Sequence, residues 1–214
     1  MSPNPEGAPV LDTEFFRRWL SAAAAAVDRE ADRLTELDAA IGDADHGTNL
    51  RRGFAAVTAA LEEAAPATPG AVLVLAGGRL ISSVGGASGP LYGTLLRSAG
   101  KSLGPADEVS PGQFAKALQE GVAAVSRLGG AVPGDKTMID ALEPAVQALA
   151  EDPEGFAAAG SAASGGALAT VPLRARKGRA SYLGERSVGH QDPGATSSAL
   201  LVAALAETAA RGAS

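Results

Sequence analysis

Apolar residues recur every three or four positions between residues 16 and 41, and this spacing is the strongest constraint on how the chain can fold. The series is Phe16, Leu20, Ala23, Val27, Ala31, Leu34, Leu37 and Ile41. Such spacing is typical of an amphipathic helix that buries one face. It predicts a long first helix over about residues 12–41, ended by Gly42.

Seven more segments show helical patterns, separated by loops that contain glycine or proline. We predict helices over about residues 48–64, 71–84 and 90–101, one that begins at residue 111 and ends at the glycine loop 129–134, and three over about residues 135–150, 153–170 and 192–211. The apolar segment 71–84 is also compatible with a buried strand, but its length favours a helix. Gly165 and Gly166 weaken the prediction for the seventh helix. Eight helices and no secure strand predict an all-α fold, an eight-helix antiparallel bundle or barrel.

Composition narrows the class of protein. The 214 residues suffice for one domain, and no linker divides them. A net charge of -6 argues against a nucleic-acid partner, because such affinity comes mainly from lysine and arginine. The chain has no cysteine, which excludes disulfides, a thiol nucleophile and zinc–thiolate sites.

The first residues of the chain and its apolar run 22–27 indicate where in the cell we expect the protein. Residues 1–10 are rich in proline and polar groups, and we expect a flexible tail before a single domain over residues 11–214. The tail lacks the basic region and apolar run of a signal peptide. The apolar run 22–27 is too short to span a bilayer. We therefore expect a soluble cytoplasmic protein with no membrane partner.

A cluster of acidic residues follows the first helix. Asp38, Asp43 and Asp45 lie within eight positions, and Asp38 falls on or beside the apolar face of the helix. A buried carboxylate is costly unless it is neutralised, paired or bound to a metal. Oxygen-rich acidic sites suit Mg²⁺. The alternative is that Asp43 or Asp45 only caps the next helix.

Four predicted helices begin with a loop that contains glycine and small polar residues. These loops are residues 45–49, 85–90, 134–138 and 190–196. Helix N-termini attract anions through unpaired N–H groups and the helix dipole, and glycine lets a phosphate approach closely. If the four starts meet at one end of a bundle, they form a polyphosphate site. Each loop on its own is equally typical of an ordinary turn between helices.

Positive charge is concentrated in one long segment, residues 172–191, which we call the basic segment. It contains Arg174, Arg176, Lys177, Arg179 and Arg186. A loop of this length with no predicted element is uncommon unless it is functional or disordered. An arginine here can clamp phosphate oxygens. A solvated loop or a docking surface for a partner is the competing interpretation.

The motifs at residues 38–49, 85–91, 134–142 and 175–196 together resemble the L subunit of dihydroxyacetone kinases. The resemblance implies an eight-helix antiparallel barrel that holds ADP/ATP and two Mg²⁺ ions at one end. The metal ligands it implies are Asp38, Asp43 and Asp45. The nucleotide contacts it implies are His46, Gly47, Thr48, Asn49, Ala87, Ser88, Gly129, Met138, Arg179, Asp192, Pro193 and Gly194. Ala44 departs from the glycine that is frequent at its position.

The resemblance also implies a function and partners. In this family the L subunit passes a phosphoryl group through Mg²⁺-bound ADP/ATP to dihydroxyacetone, which a separate K subunit holds. A phosphocarrier M subunit supplies the phosphoryl group in the separate-chain type, which this chain resembles. We therefore expect a phosphotransferase subunit that is active only with its partners, and no side chain is assigned as nucleophile. Two alternatives stay open: an L-type subunit of an ATP-dependent kinase for another small keto or hydroxy substrate, and a non-catalytic nucleotide-binding regulatory module. A homodimer also stays open.

Overall fold

The computed structural model describes residues 10–212, which form eight α-helices, one 3₁₀-helical stretch and one pair of short strands. The helices are α1 (Thr13–Ile41), α2 (His46–Ala64), α3 (Pro69–Ser83), α4 (Ser88–Leu103), α5 (Pro111–Gly129), α6 (Ile139–Glu151), α7 (Phe156–Ala169) and α8 (Pro193–Gly212). The strands are β1 (Leu11–Asp12) and β2 (Glu108–Val109). The predicted tail lies outside the described residues, except for Val10.

The helices form a closed antiparallel ring, which confirms the predicted all-α fold. Each helix packs against the next one along the chain, and α8 packs back against α1. The loops between neighbouring helices are short except between α7 and α8, where the basic segment intervenes. Consecutive helices therefore run in opposite directions, and α2, α4, α6 and α8 all begin at the same end of the ring.

Aromatic side chains fill the middle of the ring. The rings of Phe16 on α1 and Phe114 on α5 meet edge to face, with centroids 5.0 Å apart. Trp19 packs against Phe114 at 5.5 Å, and its indole Nε1 donates a hydrogen bond of 2.9 Å to the carbonyl of Leu201 on α8. The buried indole thus has both an apolar environment and a partner for its N–H group. These contacts join three helices through the core.

The short strands were not predicted from the sequence. Leu11 pairs with Val109 and Asp12 with Glu108 in antiparallel register. Two residues per strand are too few to give a recognisable alternation of apolar and polar residues. The Asp12 side chain also accepts a 2.7 Å hydrogen bond from the Phe15 N–H, so it caps α1.

Helix α6 begins at Ile139, four residues later than predicted, because the Asp140 carboxylate organises the preceding loop. Its Oδ1 accepts a 2.6 Å hydrogen bond from the Gly134 N–H, and its Oδ2 accepts a 2.7 Å bond from the Thr137 N–H. Lys136 within this loop has a φ of 64°, which no α-helix contains. The start of α5 agrees with the prediction, since Ser110 and Gln113 form a complete capping box.

The basic segment has an element of its own that the sequence did not reveal. Residues Arg179–Ser187 form 3₁₀ turns, interrupted by a non-helical Gly184. A small apolar cluster of Ile41, Ala175 and Ala180, with Leu183 packed against it, fixes these turns to the end of α1. Short turns with few apolar residues carry no periodic signal.

No helix within residues 10–212 is both long enough and apolar enough to cross a membrane. The apolar run 22–27 lies within α1 and is followed directly by the charged residues Asp28, Arg29 and Glu30.

Helices α6 and α7 approach closely at Gly166, and this contact gives a test of the packing. A Cβ at Gly166 would lie 2.1 Å from the Asp140 carbonyl oxygen, whereas a Cβ at Gly165 has no atom within 4 Å. We expect Gly166→Ala to lower the free energy of unfolding by about 1–3 kcal/mol, because the two helices must separate. Gly165→Ala is the matched control and should raise it by up to about 1 kcal/mol. Urea unfolding of both variants measures this, and equal effects would contradict the packing.

Candidate nucleotide and metal site

A cavity of 1030 Å³ opens at the end of the ring where the even-numbered helices begin. The starts of α2, α4, α6 and α8 all contribute to its wall, as do the ends of α1 and α5 and part of the basic segment. The antiparallel ring therefore brings together the four glycine-containing helix starts that are far apart in sequence.

The three acidic residues converge at one side of this cavity. Asp38 lies in the last turn of α1 and is buried, while Asp43 and Asp45 lie in the following loop and are exposed. One carboxylate oxygen from each lies within 4.8 Å of the others. Three oxygens at this spacing suit a hard divalent cation with oxygen ligands.

The start of α2 is capped by Asp38 and not by Asp43 or Asp45, the two residues considered as caps from the sequence. Asp38 Oδ2 accepts hydrogen bonds from the N–H groups of Asp45 (2.9 Å) and His46 (3.2 Å), so Asp38 caps α2 from the preceding helix. Asp45 occupies the N-cap position, but its side chain makes no cap hydrogen bond. Ala44 has a φ of 62°, a conformation that favours glycine and explains the preference noted at this position. The carboxylates of Asp43 and Asp45 are not used by the helix.

The basic segment reaches the acidic loop through one ion pair. Arg179 Nη2 lies 3.0 Å from Asp43 Oδ2, and the two side chains are 65% and 39% exposed. Ion pairs this exposed contribute little stability. Arg179 can therefore turn to another anion in the cavity, such as a phosphate, at small energetic cost.

A polar network connects three helix starts beneath the cavity. His46 on α2 bonds through Nδ1 to Ser88 on α4 (3.2 Å) and through Nε2 to Ser197 on α8 (2.8 Å). The Tyr92 hydroxyl bonds to Ser197 (2.7 Å) and Ser198 (2.8 Å). Burial lowers the pKa of His46 although Asp38 and Asp45 oppose the change, and burial raises the pKa of Tyr92 to about 12. Both side chains are neutral near pH 7. The network of hydrogen bonds holds the starts of α2, α4 and α8 together.

Asp192 caps α8 from a buried position. Its Oδ2 accepts a 2.7 Å hydrogen bond from the Ala195 N–H, and its own N–H donates to Thr170 Oγ1 at 2.9 Å. Burial raises the pKa of the Asp192 carboxyl to about 7, assisted by the charge of Asp140 and opposed mainly by the Ala195 N–H. This helix start therefore changes charge near neutral pH.

The structure places the residues named from the sequence in two groups. The residues along the cavity are Asp38, Asp43, Asp45, His46, Ala87, Ser88, Gly129, Met138, Arg179, Asp192, Pro193 and Gly194. Gly47, Thr48 and Asn49 are not among its lining residues. A Cβ at Gly47 would lie 1.9 Å from the Ala31 carbonyl oxygen, so Gly47 permits close packing of α2 on α1. Thr48 bonds back to the Asp45 carbonyl, and Asn49 accepts from Arg52.

Other cavity residues were not identified from the sequence. Five apolar residues, which we call the apolar wall, also line the cavity: Leu91, Val125, Leu128, Met138 and Ile139. Of these, only Met138 is among the nucleotide contacts that the family resemblance implies. The others appear in the sequence as ordinary helix positions, and only the ring places them on the cavity. Lys136 also lines the cavity and is 1% exposed. The sequence feature that could have identified Lys136 as a cavity residue is its position within the glycine-containing loop 134–138.

Asp192 should make the stability of the protein depend on pH. Its pKa is about 7 in the folded chain against an ordinary value of 3.8, so the folded state retains a proton that the unfolded state releases. The free energy of unfolding should therefore fall as the pH rises from about 4 to about 7, by about 1.4 kcal/mol for each unit between the two pKa values.

Asp192→Asn should flatten this dependence and increase stability, relative to the unchanged chain, above about pH 7. Urea unfolding at a series of pH values, in chelator and without nucleotide, measures the difference. Asp32→Asn, at an exposed position of α1, is the control. A constant difference between Asp192→Asn and the unchanged chain across the pH range would contradict the prediction.

Comparisons with known proteins identify the family. Residues 40–207 match the model of the DAK2 domain. The chain is 43% identical to the ADP-binding subunit of the PEP-dependent dihydroxyacetone kinase of Escherichia coli K12, over 88% of this chain and 93% of that protein. It is 42% identical to the corresponding subunit of dihydroxyacetone kinase 2 of Listeria innocua, over 92% of this chain and 95% of that protein.

A solved structure agrees with these sequence matches. The crystal structure of the dihydroxyacetone kinase of C. freundii superposes with a TM-score of 0.74 at 29% identity, covering 97% of this chain. This chain spans 37% of the length of that crystallised chain. The sequence match, the helical ring and the motifs around its cavity lead to one conclusion: the chain belongs to the DAK2-domain family, to which its ADP-binding dihydroxyacetone kinase subunit relatives also belong.

Proposed function

We propose that this chain is the ADP/ATP-binding subunit of a dihydroxyacetone kinase, a phosphotransferase that acts only with partner subunits. The observation that supports this most strongly is the convergence of three carboxylates, Arg179 and four helix starts on one cavity. The relatives that this chain matches over nearly their whole length carry the name of ADP-binding subunit. A kinase subunit of this kind takes its phosphoryl group from one partner and delivers it to a substrate held by another.

The cavity suits a nucleoside diphosphate or triphosphate. Its polar side contains the starts of four helices, and the positive ends of the helix dipoles attract phosphate oxygens. The apolar wall that includes Leu91, Val125 and Leu128 suits the faces of a nucleobase. A volume of 1030 Å³ is adequate for both parts of such a ligand.

Energies indicate that the acidic residues are needed for tight retention. Helix dipoles contribute about 0.5 kcal/mol each, or about 2 kcal/mol for four helices. Retention at nanomolar concentration requires about 12 kcal/mol. The apolar wall and cation bridges between phosphates and Asp38, Asp43 and Asp45 must supply most of the remainder.

The donor set fits Mg²⁺, and we propose that two ions are held by Asp38, Asp43 and Asp45 together with phosphate oxygens. Mg²⁺ prefers oxygen ligands and accepts one or two carboxylates with phosphates and water. Bound Mg²⁺ neutralises phosphate charge and orients the transferred group. Asp38 is held in place by its bonds to the start of α2, so its oxygens are positioned before any ligand arrives.

Within the proposed transfer this chain binds and orients rather than reacts covalently. Arg179 leaves Asp43 to contact a phosphate oxygen, and its fixed charge stabilises the charge that develops during transfer. The polar network of His46, Ser197 and Tyr92 keeps the helix starts in register. Dihydroxyacetone sits on a separate K subunit, and a phosphocarrier M subunit restores the phosphoryl group.

A second candidate differs in the substrate of the kinase. The chain is 42% identical to the L-erythrulose 1-kinase of Mycolicibacterium smegmatis over 84% of this chain, although it spans only 33% of that protein. An L-type subunit for another small keto or hydroxy substrate has the same nucleotide cavity, because the acceptor is bound elsewhere. Activity of the complex with dihydroxyacetone and with erythrulose distinguishes the two.

The identity of the retained ligand tests the proposed function directly. The chain is purified without added nucleotide, denatured, and the released compounds are identified, with and without prior chelation of Mg²⁺. We expect about one ADP per chain, released by denaturation or chelation, because the cations bridge protein and phosphates. A chain that is empty and has no affinity for ADP or ATP would contradict the proposal.

Substitution of the acidic loop tests the cation role. Asp43→Asn and Asp45→Asn should each weaken Mg²⁺-dependent ADP binding by at least about 100-fold, or about 2.7 kcal/mol, because each removes a charged oxygen ligand. Asp38 is less suitable because it also caps α2. Titration calorimetry measures the affinities, with the exposed Asp32→Asn as control. Unchanged affinity in both variants would mean that these carboxylates do not hold the cations.

A further inference from the structure

Lys136 is a buried lysine whose ammonium group is surrounded by backbone carbonyls. Its side chain is 1% exposed. The Nζ atom donates to the carbonyl oxygens of Thr170 at 2.8 Å and Leu173 at 3.1 Å, and also to that of His190. Buried lysines are rare unless they are paired, and here the partners are mainly carbonyls. Such an arrangement needs a structural or functional reason.

These carbonyls lie at both ends of the basic segment. Thr170 follows the last residue of α7 and Leu173 is the second residue of the segment, whereas His190 lies near the end of the segment, shortly before α8. One ammonium group therefore joins the entry and the exit of a stretch of about twenty residues. Two other hydrogen bonds join the same two ends, which we call the neck of the basic segment. The Gly189 N–H donates to the Val171 carbonyl at 2.8 Å, and the Asp192 N–H donates to Thr170 Oγ1.

The backbone of Lys136 is shaped to send its side chain inward. Its φ of 64° is uncommon for a residue other than glycine and persists only where surrounding contacts hold it. The bonds from Asp140 to Gly134 and Thr137 hold this conformation. The Arg176 N–H also donates a hydrogen bond of 3.0 Å to the Asp135 carbonyl, which connects the basic segment to the loop that contains Lys136.

Three parts of the cavity wall depend on this neck. Met138 lies two residues after Lys136, Arg179 is carried by the basic segment, and Asp192 lies two residues after His190 and begins the run Asp192 to Gly194. We propose that Lys136 is a positioning residue, which fixes the neck of the basic segment so that Arg179 and the start of α8 face the acidic loop. It acts through these groups and not by contact with the reacting atoms.

The first test measures the mobility of the basic segment. Lys136→Met keeps most of the length and the apolar character of the side-chain stem but removes the ammonium donors, which leaves several carbonyls without a partner. We expect amide hydrogen exchange in residues 172–191 to become at least about tenfold faster while exchange in α1 to α5 is unchanged. Lys116→Met, at an exposed position of α5, is the control and should match the unchanged chain.

The exchange rates of Lys136→Met either support the proposal or overturn it. Selective loosening of residues 172–191 supports it, whereas unchanged exchange or equally faster exchange in all helices overturns it. If Lys136→Met does not fold, the same comparison is made on Lys136→Arg. The longer planar guanidinium cannot direct its donors at the same converging carbonyls, so the same selective loosening is expected and the same outcomes overturn the proposal.

A second test separates positioning from a purely structural role, and it rests on the proposed function. In the reconstituted kinase, Lys136→Met should lower kcat at least about tenfold and leave KM for dihydroxyacetone unchanged, because the acceptor is bound by another subunit. An unchanged kcat overturns the positioning role, whether or not the KM for dihydroxyacetone changes. If the unchanged chain does not bind ADP, the proposed function fails, and the hydrogen-exchange test of Lys136 still stands.

Discussion

Antiparallel packing is the constraint on which the rest of this structure depends. Because each helix reverses the direction of the one before it, α2, α4, α6 and α8 must all begin at the same end of the ring. That end collects four helix starts and the positive ends of their dipoles, while the opposite end collects the starts of the odd-numbered helices. The aromatic core around Phe16 and Phe114 keeps the ring closed and so keeps these starts together.

The site at that end is built from groups that have both a structural and a chemical use. Asp38 caps α2 and also presents a carboxylate to the cavity beside Asp43 and Asp45. Asp192 caps α8 at the rim of the same cavity, with a pKa raised to about 7 by burial. Because these caps are made by buried acidic residues at the cavity, the fold and the proposed binding of cations and phosphates depend on the same carboxylates.

The basic segment supplies the opposite charge from outside the ring. It leaves the barrel after α7 and returns before α8, and its attachment relies on Lys136, on a few backbone hydrogen bonds and on a small apolar cluster around Ile41. Arg179 is held to Asp43 only by an exposed ion pair. A strongly fixed neck and a weakly held arginine suit a segment that must keep its place while one side chain exchanges partners.

The sequence by itself determined the helices and the acidic loop, because both depend on local patterns: apolar spacing in α1, the serine and proline at the start of α5, and carboxylates clustered around Gly42. Local patterns alone did not decide whether the four glycine-containing helix starts meet at one end of the molecule; the ring does. Only the tertiary structure decided that Gly47 faces α1, that Asp38 caps α2, and that Lys136 closes the neck of the basic segment. Those contacts join residues from different helices and loops, and no periodic signal records which side chain faces which neighbour.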